Sequence, residues 1–108
     1  MRNLRFTAAG MALSRVSPTA GIVAGSEGYL RAEFDLSEDY EDCNVYATFR
    51  DDSGNEWAER VVDGSCGVPA EVTGGRFWGV SLTAVREGFR LDTNEVTVRQ
   101  VVRHGYAR

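Results

Sequence analysis

The chain contains no lysine: all 12 of its Lys and Arg positions are arginine. A Schiff-base amine and a phosphate-cradling P-loop lysine are therefore excluded. Histidine occurs once, as His104, in the polar C-terminal run VRHGYAR. Cysteine occurs twice, as Cys43 and Cys66, with no Cys-x-x-Cys pair, so the ligand set of a structural zinc site is missing. No apolar stretch approaches the roughly 20 residues that a membrane-spanning helix needs. The opening run MRNLRFTAAGMALSR has the positive start of an export signal, but Thr7, Gly10 and Ser14 interrupt its apolar part. It reads as strand, and the expectation is a chain that no signal peptide exports and whose cysteines are reduced. One sequence leaves open whether Cys43 and Cys66 pair.

Net positive charge is lacking too. The formal net charge is -4 and the pI is near 4.9. Proteins that bind duplexes or anionic membranes gather positive charge to displace counterions, so neither nucleic acid nor membrane is expected as a partner.

What is present is a globular composition: 108 residues, 43% hydrophobic and 26% charged. That length supports one domain with a single modest core. We place the domain at residues 1–103 and a tail at 104–108.

The hydrophobic period is two. Leu30, Ala32, Phe34 and Leu36 alternate with Arg31, Glu33 and Asp35, and Tyr29 precedes them on the outward row. Val45, Ala47 and Phe49 alternate with Tyr46, Thr48 and Arg50. Trp78, Val80, Leu82 and Ala84 form a third row; Leu4, Phe6 and Ala8 a fourth; Val96 and Val98 a fifth. Such rows are strands with one face in a core and one in water. Trp57 is assigned to the core with Trp78.

Turns are expected at DDSGNE (a hairpin with Gly54 at positive φ), at VDGS around Asp63 and Gly64, at TGG from Thr73, and at REGF from Arg86. Pro18 and Pro69 fall at strand boundaries. Only SEDYED reads as helical, with Ser37 as its cap. The fold class is all-β: an immunoglobulin-like antiparallel β-sandwich of seven to nine strands.

Cys66, in GSCG, is the one candidate nucleophile. A thiol needs a base to raise its thiolate fraction, and the only histidine lies in the tail. The alternation of Cys66 with Val68 before Pro69 gives the simpler reading: a small apolar side chain in a short strand. The acids Glu33, Asp35, Glu38, Asp39, Glu41 and Asp42 lack the spacing of an EF-hand loop and read as solvated. We therefore expect no catalytic residue, no metal and no cofactor. Outward tyrosines stack on sugar rings or anchor protein partners, which makes Tyr29 and Tyr46 the candidate partner-binding residues.

Several stretches recur in a characteristic order: the glycine turn and strand Gly25 to Leu36, the Ser-Glu-Asp-Tyr turn at Ser37, and the Ala-x-Phe strand at Ala47. Then come DGSCGVPAEV from Asp63, the Gly-Val step at Gly79 and TNEVTV from Thr93. In that order, over about residues 20–102, the chain resembles the immunoglobulin-like domain of tail and baseplate proteins of tailed phages and prophages. The best-known member of that family it is similar to is the N-terminal domain of baseplate upper proteins. Tyr40 stands where that family usually has tryptophan, and VSLTAVREGFR is less glycine-rich than its counterparts. The resemblance implies a non-enzymatic virion role in a tail, baseplate or capsid surface. It implies other virion structural proteins as partners, a homo-oligomer as one assembly, and synthesis in the host bacterial cytoplasm. It supplies no catalytic residues. The alternative expectation is a β-sandwich module that binds surface carbohydrate or protein through Tyr29 and Tyr46.

Overall fold

A computed structural model describes residues 2–16 and 30–100. Pro18, Tyr29, His104 and the proposed boundary at residue 103 lie outside the described residues.

The described residues form nine strands in two sheets. The strands are β1 (Arg2–Ala9), β2 (Ala12–Arg15), β3 (Leu30–Leu36), β4 (Asn44–Asp51), β5 (Glu56–Val61), β6 (Ser65–Gly67), β7 (Phe77–Arg86), β8 (Phe89–Asp92) and β9 (Val96–Arg99). The four-stranded sheet has the order β2-β1-β3-β6, and the five-stranded sheet β5-β4-β7-β8, with β9 also pairing β7. The chain passes between the layers from β3 to β4, from β5 to β6 and from β6 to β7.

The alternating rows decide which faces meet. Leu4, Phe6, Ala8, Leu30, Ala32 and Phe34 point inward from one sheet, and Val45, Ala47, Phe49, Trp78, Val80, Leu82, Ala84 and Val98 from the other; all are buried. Phe6 stacks on Phe34 with ring centroids 5.3 Å apart, and Phe49 tilts against Trp78 at 5.7 Å. Each fully buried side chain of this size stabilises the fold by about 1.5–3 kcal/mol relative to exposure.

Three expectations need correction. Strand β1 pairs β3 in parallel, from Arg2 opposite Leu30 to Ala8 opposite Leu36, so the four-stranded sheet is mixed. The β1–β2 hairpin has by Arg15 turned the chain back toward the Arg2 end of the sheet, so β3, starting opposite Arg2, runs the same way as β1. TGG is not a simple turn: Ala70–Gly74 is a 3-10 turn that starts at Pro69 and buries Val72 and Thr73. In SEDYED, Glu38–Tyr40 is a 3-10 turn and Ser37 makes no side-chain cap bond. Instead Ser37 Oγ donates to Asp39 Oδ2 (3.0 Å) and accepts from the Gly10 amide (3.4 Å). Tyr40 is buried and its hydroxyl donates to the Gly10 carbonyl at 2.6 Å, tying this turn to the β1–β2 hairpin. Burial, together with the nearby Asp39 carboxylate and Cys43 sulfur, raises the phenol above its ordinary range.

The other turns follow the local chemistry. Asp51 Oδ1 accepts from the amides of Ser53 and Asn55, which folds the β4–β5 hairpin and leaves Gly54 at φ +92°. Asp63 and Gly64 both take positive φ between β5 and β6. Trp78 is fully buried, while Trp57 is half-buried against the core.

Candidate functional site

The chemistry of Cys66 follows from its place on β6. It pairs with Ala32 in register, is 4% exposed, and its side chain belongs to the core. Burial and the Glu59 carboxylate push the thiol up to about 12, against the opposing pull of Arg31. A thiol so placed carries little thiolate at neutral pH, and thiolate is the nucleophilic form. Cys43 and Cys66 are both free thiols. Among the described residues no group of three His, Cys, Asp or Glu side chains converges as a metal site would require.

The outer face of the four-stranded sheet carries an open groove of about 490 Å³, lined by Arg5, Val16, Glu33, Asp35, Asp63 and Ser65 among others. Its charges are mixed: Arg5 Nε lies 3.8 Å from Glu33 Oε1. Arg31 reaches from the same face to Ser65 Oγ at 2.9 Å. Ser65 stands in register with Glu33 there, and the lining mixes charged side chains with Val16, Phe6 and Phe34.

The outer face of the five-stranded sheet holds Tyr46, at 37% exposure and in register with Arg60 on one side and Thr83 on the other. Thr48, Ala58 and Ser81 form the next row across that face. Arg50 pairs with Glu56 (3.1 Å) and approaches Glu95 (3.6 Å). Arg90 pairs with Asp92 (3.0 Å). Tyr46 is thus on the outward row that the sequence gives it. Tyr29 lies outside the described residues, so the structure does not bring the two tyrosines together.

The sheet edges differ more than the faces. The β2 edge is closed by a side chain: Asn94 Oδ1 accepts from the Leu13 amide (2.8 Å) and Asn94 Nδ2 donates to the Leu13 carbonyl (3.0 Å). An amide side chain there serves as one residue of a strand, linking β2 to the segment between β8 and β9. Thr93 repairs the interruption on the other side. Its amide donates to the Leu82 carbonyl (3.0 Å) and its hydroxyl accepts from the Leu82 amide (2.9 Å). Gln100 fastens the far end, donating to the carbonyls of Thr73 (3.1 Å) and Gly75 (2.8 Å) and accepting from the Trp78 indole (3.0 Å).

Strand β5 has β4 on one side, and among the described strands none pairs with its other side. The Asp51 amide donates to the Asn55 carbonyl (2.9 Å), which sets the parity of the ladder. Hydrogen-bonded and non-hydrogen-bonded pairs alternate in antiparallel strands, so Trp57, Glu59 and Val61 turn their amides and carbonyls toward β4. Glu56, Ala58 and Arg60 turn theirs outward. Val62 continues that outward set and is taken by Ser65, with bonds of 2.9 and 3.0 Å in the two directions. The open edge therefore runs from Glu56 to Arg60, and all three outward-directed residues are solvent-exposed.

The alternating pattern sets Tyr46 on an outward row and Cys66 on an inward one, as the structure has them, but does not mark this edge. The alternating run EWAER carried a usable signal, because Glu56 and Arg60, of opposite sign, stand on one row four residues apart.

No family model, no curated protein and no solved structure matches the chain.

Proposed function

We propose that this chain is a non-enzymatic structural protein of a phage or prophage virion, in a tail, baseplate or capsid surface, and that it acts by protein–protein assembly. The observation that carries the reading is the β5 edge, where three successive outward-directed residues present backbone donors and acceptors with no partner among the described strands. Such an edge adds to a neighbour's sheet. The ordered motifs from Gly25 to Val98, with their likeness to phage tail and baseplate domains, support the virion setting. The high thiol pKa of Cys66 supports a role without thiol chemistry. On this reading the partners are other virion structural proteins, and the chain is made in the host bacterial cytoplasm before joining the particle.

The test is mass spectrometry of particles purified after prophage induction of the source strain. The chain is expected in the particle fraction in stoichiometric ratio to tail or capsid proteins. Its absence from particles while it is abundant in the lysate would refute the virion reading.

Tyr46 supports a second reading, a carbohydrate- or protein-binding module, because an exposed ring on a hydroxyl-lined sheet face is a stacking platform. Glycan binding that is lost in Tyr46→Ala, with the melting temperature unchanged, would favour it.

A further inference from the structure

We infer that the occupant of the β5 edge is a second copy of this chain, paired antiparallel about a two-fold axis at Ala58. The inference takes the assembly reading as its premise and names the partner.

Three features of the edge lead there. The first is direction. Glu56, Ala58 and Arg60 aim their amides and carbonyls outward, and a two-fold axis at Ala58 sets each opposite an equivalent outward-directed residue. Ala58 then faces the second copy's Ala58, and Glu56 faces its Arg60, every pair being of the hydrogen-bonded kind.

The second feature is charge. The same register places a carboxylate opposite a guanidinium on both sides of the axis, on the outer face where both side chains are exposed. Arg50 already lies beside Glu56 at 3.1 Å, so the row across the junction reads Arg50, Glu56 and then the second copy's Arg60, with alternating sign. Neighbouring registers fail this test. An axis at Glu59 puts two glutamates directly opposite each other, and an axis at Trp57 leaves Arg60 opposite a glycine. Like charges directly opposed destabilise a strand pair, and opposite charges stabilise it.

The third feature is length. The pairing stops where Val62 is already bonded to Ser65, so the matched segment is the five residues from Glu56 to Arg60. A short alternating-charge edge of this kind selects a partner in one register and discourages open-ended aggregation.

The experiment is disulfide trapping of the full chain. In a Cys43→Ser background, Ala58→Cys is expected to form a covalent dimer under mild oxidation at millimolar protein. Opposed Cα atoms in such a pair are about 5.5 Å apart, within disulfide range. Glu59→Cys and Thr48→Cys are the controls and should trap far more slowly. Adding Arg60→Glu to Ala58→Cys should slow trapping on the order of tenfold, and adding Glu56→Arg as well should restore it. A thermal melt of each variant confirms that the monomer is folded.

Equal trapping at positions 58 and 59, no trapping of a folded Ala58→Cys variant, or a double charge swap that does not restore the rate would each overturn the pairing. Failure of trapping while the chain is present in particles sinks only the choice of partner. Trapping without presence in particles leaves the edge pairing standing and removes its virion setting.

Discussion

Replacing Gln100 with leucine removes three hydrogen bonds with little change in side-chain size. The amide nitrogen holds the carbonyls of Thr73 and Gly75, and the amide oxygen holds the indole N–H of Trp78. Trp78 is 0% exposed, so its N–H has no route to water once the acceptor is gone. A buried donor left unpaired costs about 1–3 kcal/mol, and the weakened bonds at the two carbonyls add about 1 kcal/mol together. The expected loss is about 2–4 kcal/mol. For a domain near this size that lowers the melting temperature by on the order of 10–20 °C. Urea denaturation followed by far-ultraviolet circular dichroism reads the loss without relying on tryptophan fluorescence. A double-mutant cycle with Trp78→Phe isolates the indole bond, since phenylalanine has no N–H to strand. The two substitutions should be coupled by about 1–2 kcal/mol. A Gln100→Leu variant within about 0.5 kcal/mol of wild type would refute the reasoning, as would zero coupling in the cycle.

Thr93→Val removes the hydroxyl that accepts from the buried Leu82 amide. It should cost about 1–2 kcal/mol and speed hydrogen exchange at Leu82 selectively. Cys66 has its folded pKa raised, from 9.0 to about 12. Its contribution to stability is complete below the ordinary thiol value and is lost as pH rises toward 12, so Cys66→Ala should flatten the alkaline limb of melting temperature against pH. Iodoacetamide at pH 8 should label half-exposed Cys43 well before Cys66. At Asp51, slight desolvation raises the carboxyl, but hydrogen bonds from Asn55, Ser53 and Gly54 outweigh it and hold the pKa below its ordinary value. That stability is present above about pH 4 and fades as pH falls through the lowered folded value. Asp51→Asn should therefore be less sensitive to acid in a pH series of thermal melts.

The inward rows were legible because a period of two has a single reading where one face is dry. Leu30, Ala32 and Phe34 are all buried, as are Val45, Ala47 and Phe49 and the row from Trp78 to Ala84. Hairpin turns were legible where glycine permits positive φ, as at Gly54, Gly64 and Gly88. Pairing direction was not. Alternation in β1 is the same whether its neighbour runs parallel or antiparallel, and the difference lies in β2, which reverses the chain before β3 begins. The joints were not legible either. Asn94, Thr93 and Gln100 are polar residues beside strand ends, a position that usually means solvent, and only the tertiary fold brings Leu13, Leu82 and Trp78 to them. Trp57 falls between these cases. It stands on the inward row of an edge strand, where the opposite layer covers it only in part.

The edge pairing at Ala58 is weak by its own arithmetic. Three residue pairs give six backbone hydrogen bonds at about 0.5–1.5 kcal/mol each. Two cross-strand ion pairs add about 0.2–1 kcal/mol each. Association costs about 4–15 kcal/mol in lost freedom. The balance spans zero, which puts an isolated pair in the millimolar range or weaker. Dilute chain is then monomeric, and the edge closes only when copies are held near each other. A particle that tethers its subunits supplies an effective concentration in the millimolar range. This explains why the edge carries alternating charge and not an apolar stripe. An apolar edge would associate before assembly and in any register, whereas Glu56 and Arg60 add little energy but admit one register. Specificity is therefore set by the side chains and closure by the geometry of the particle.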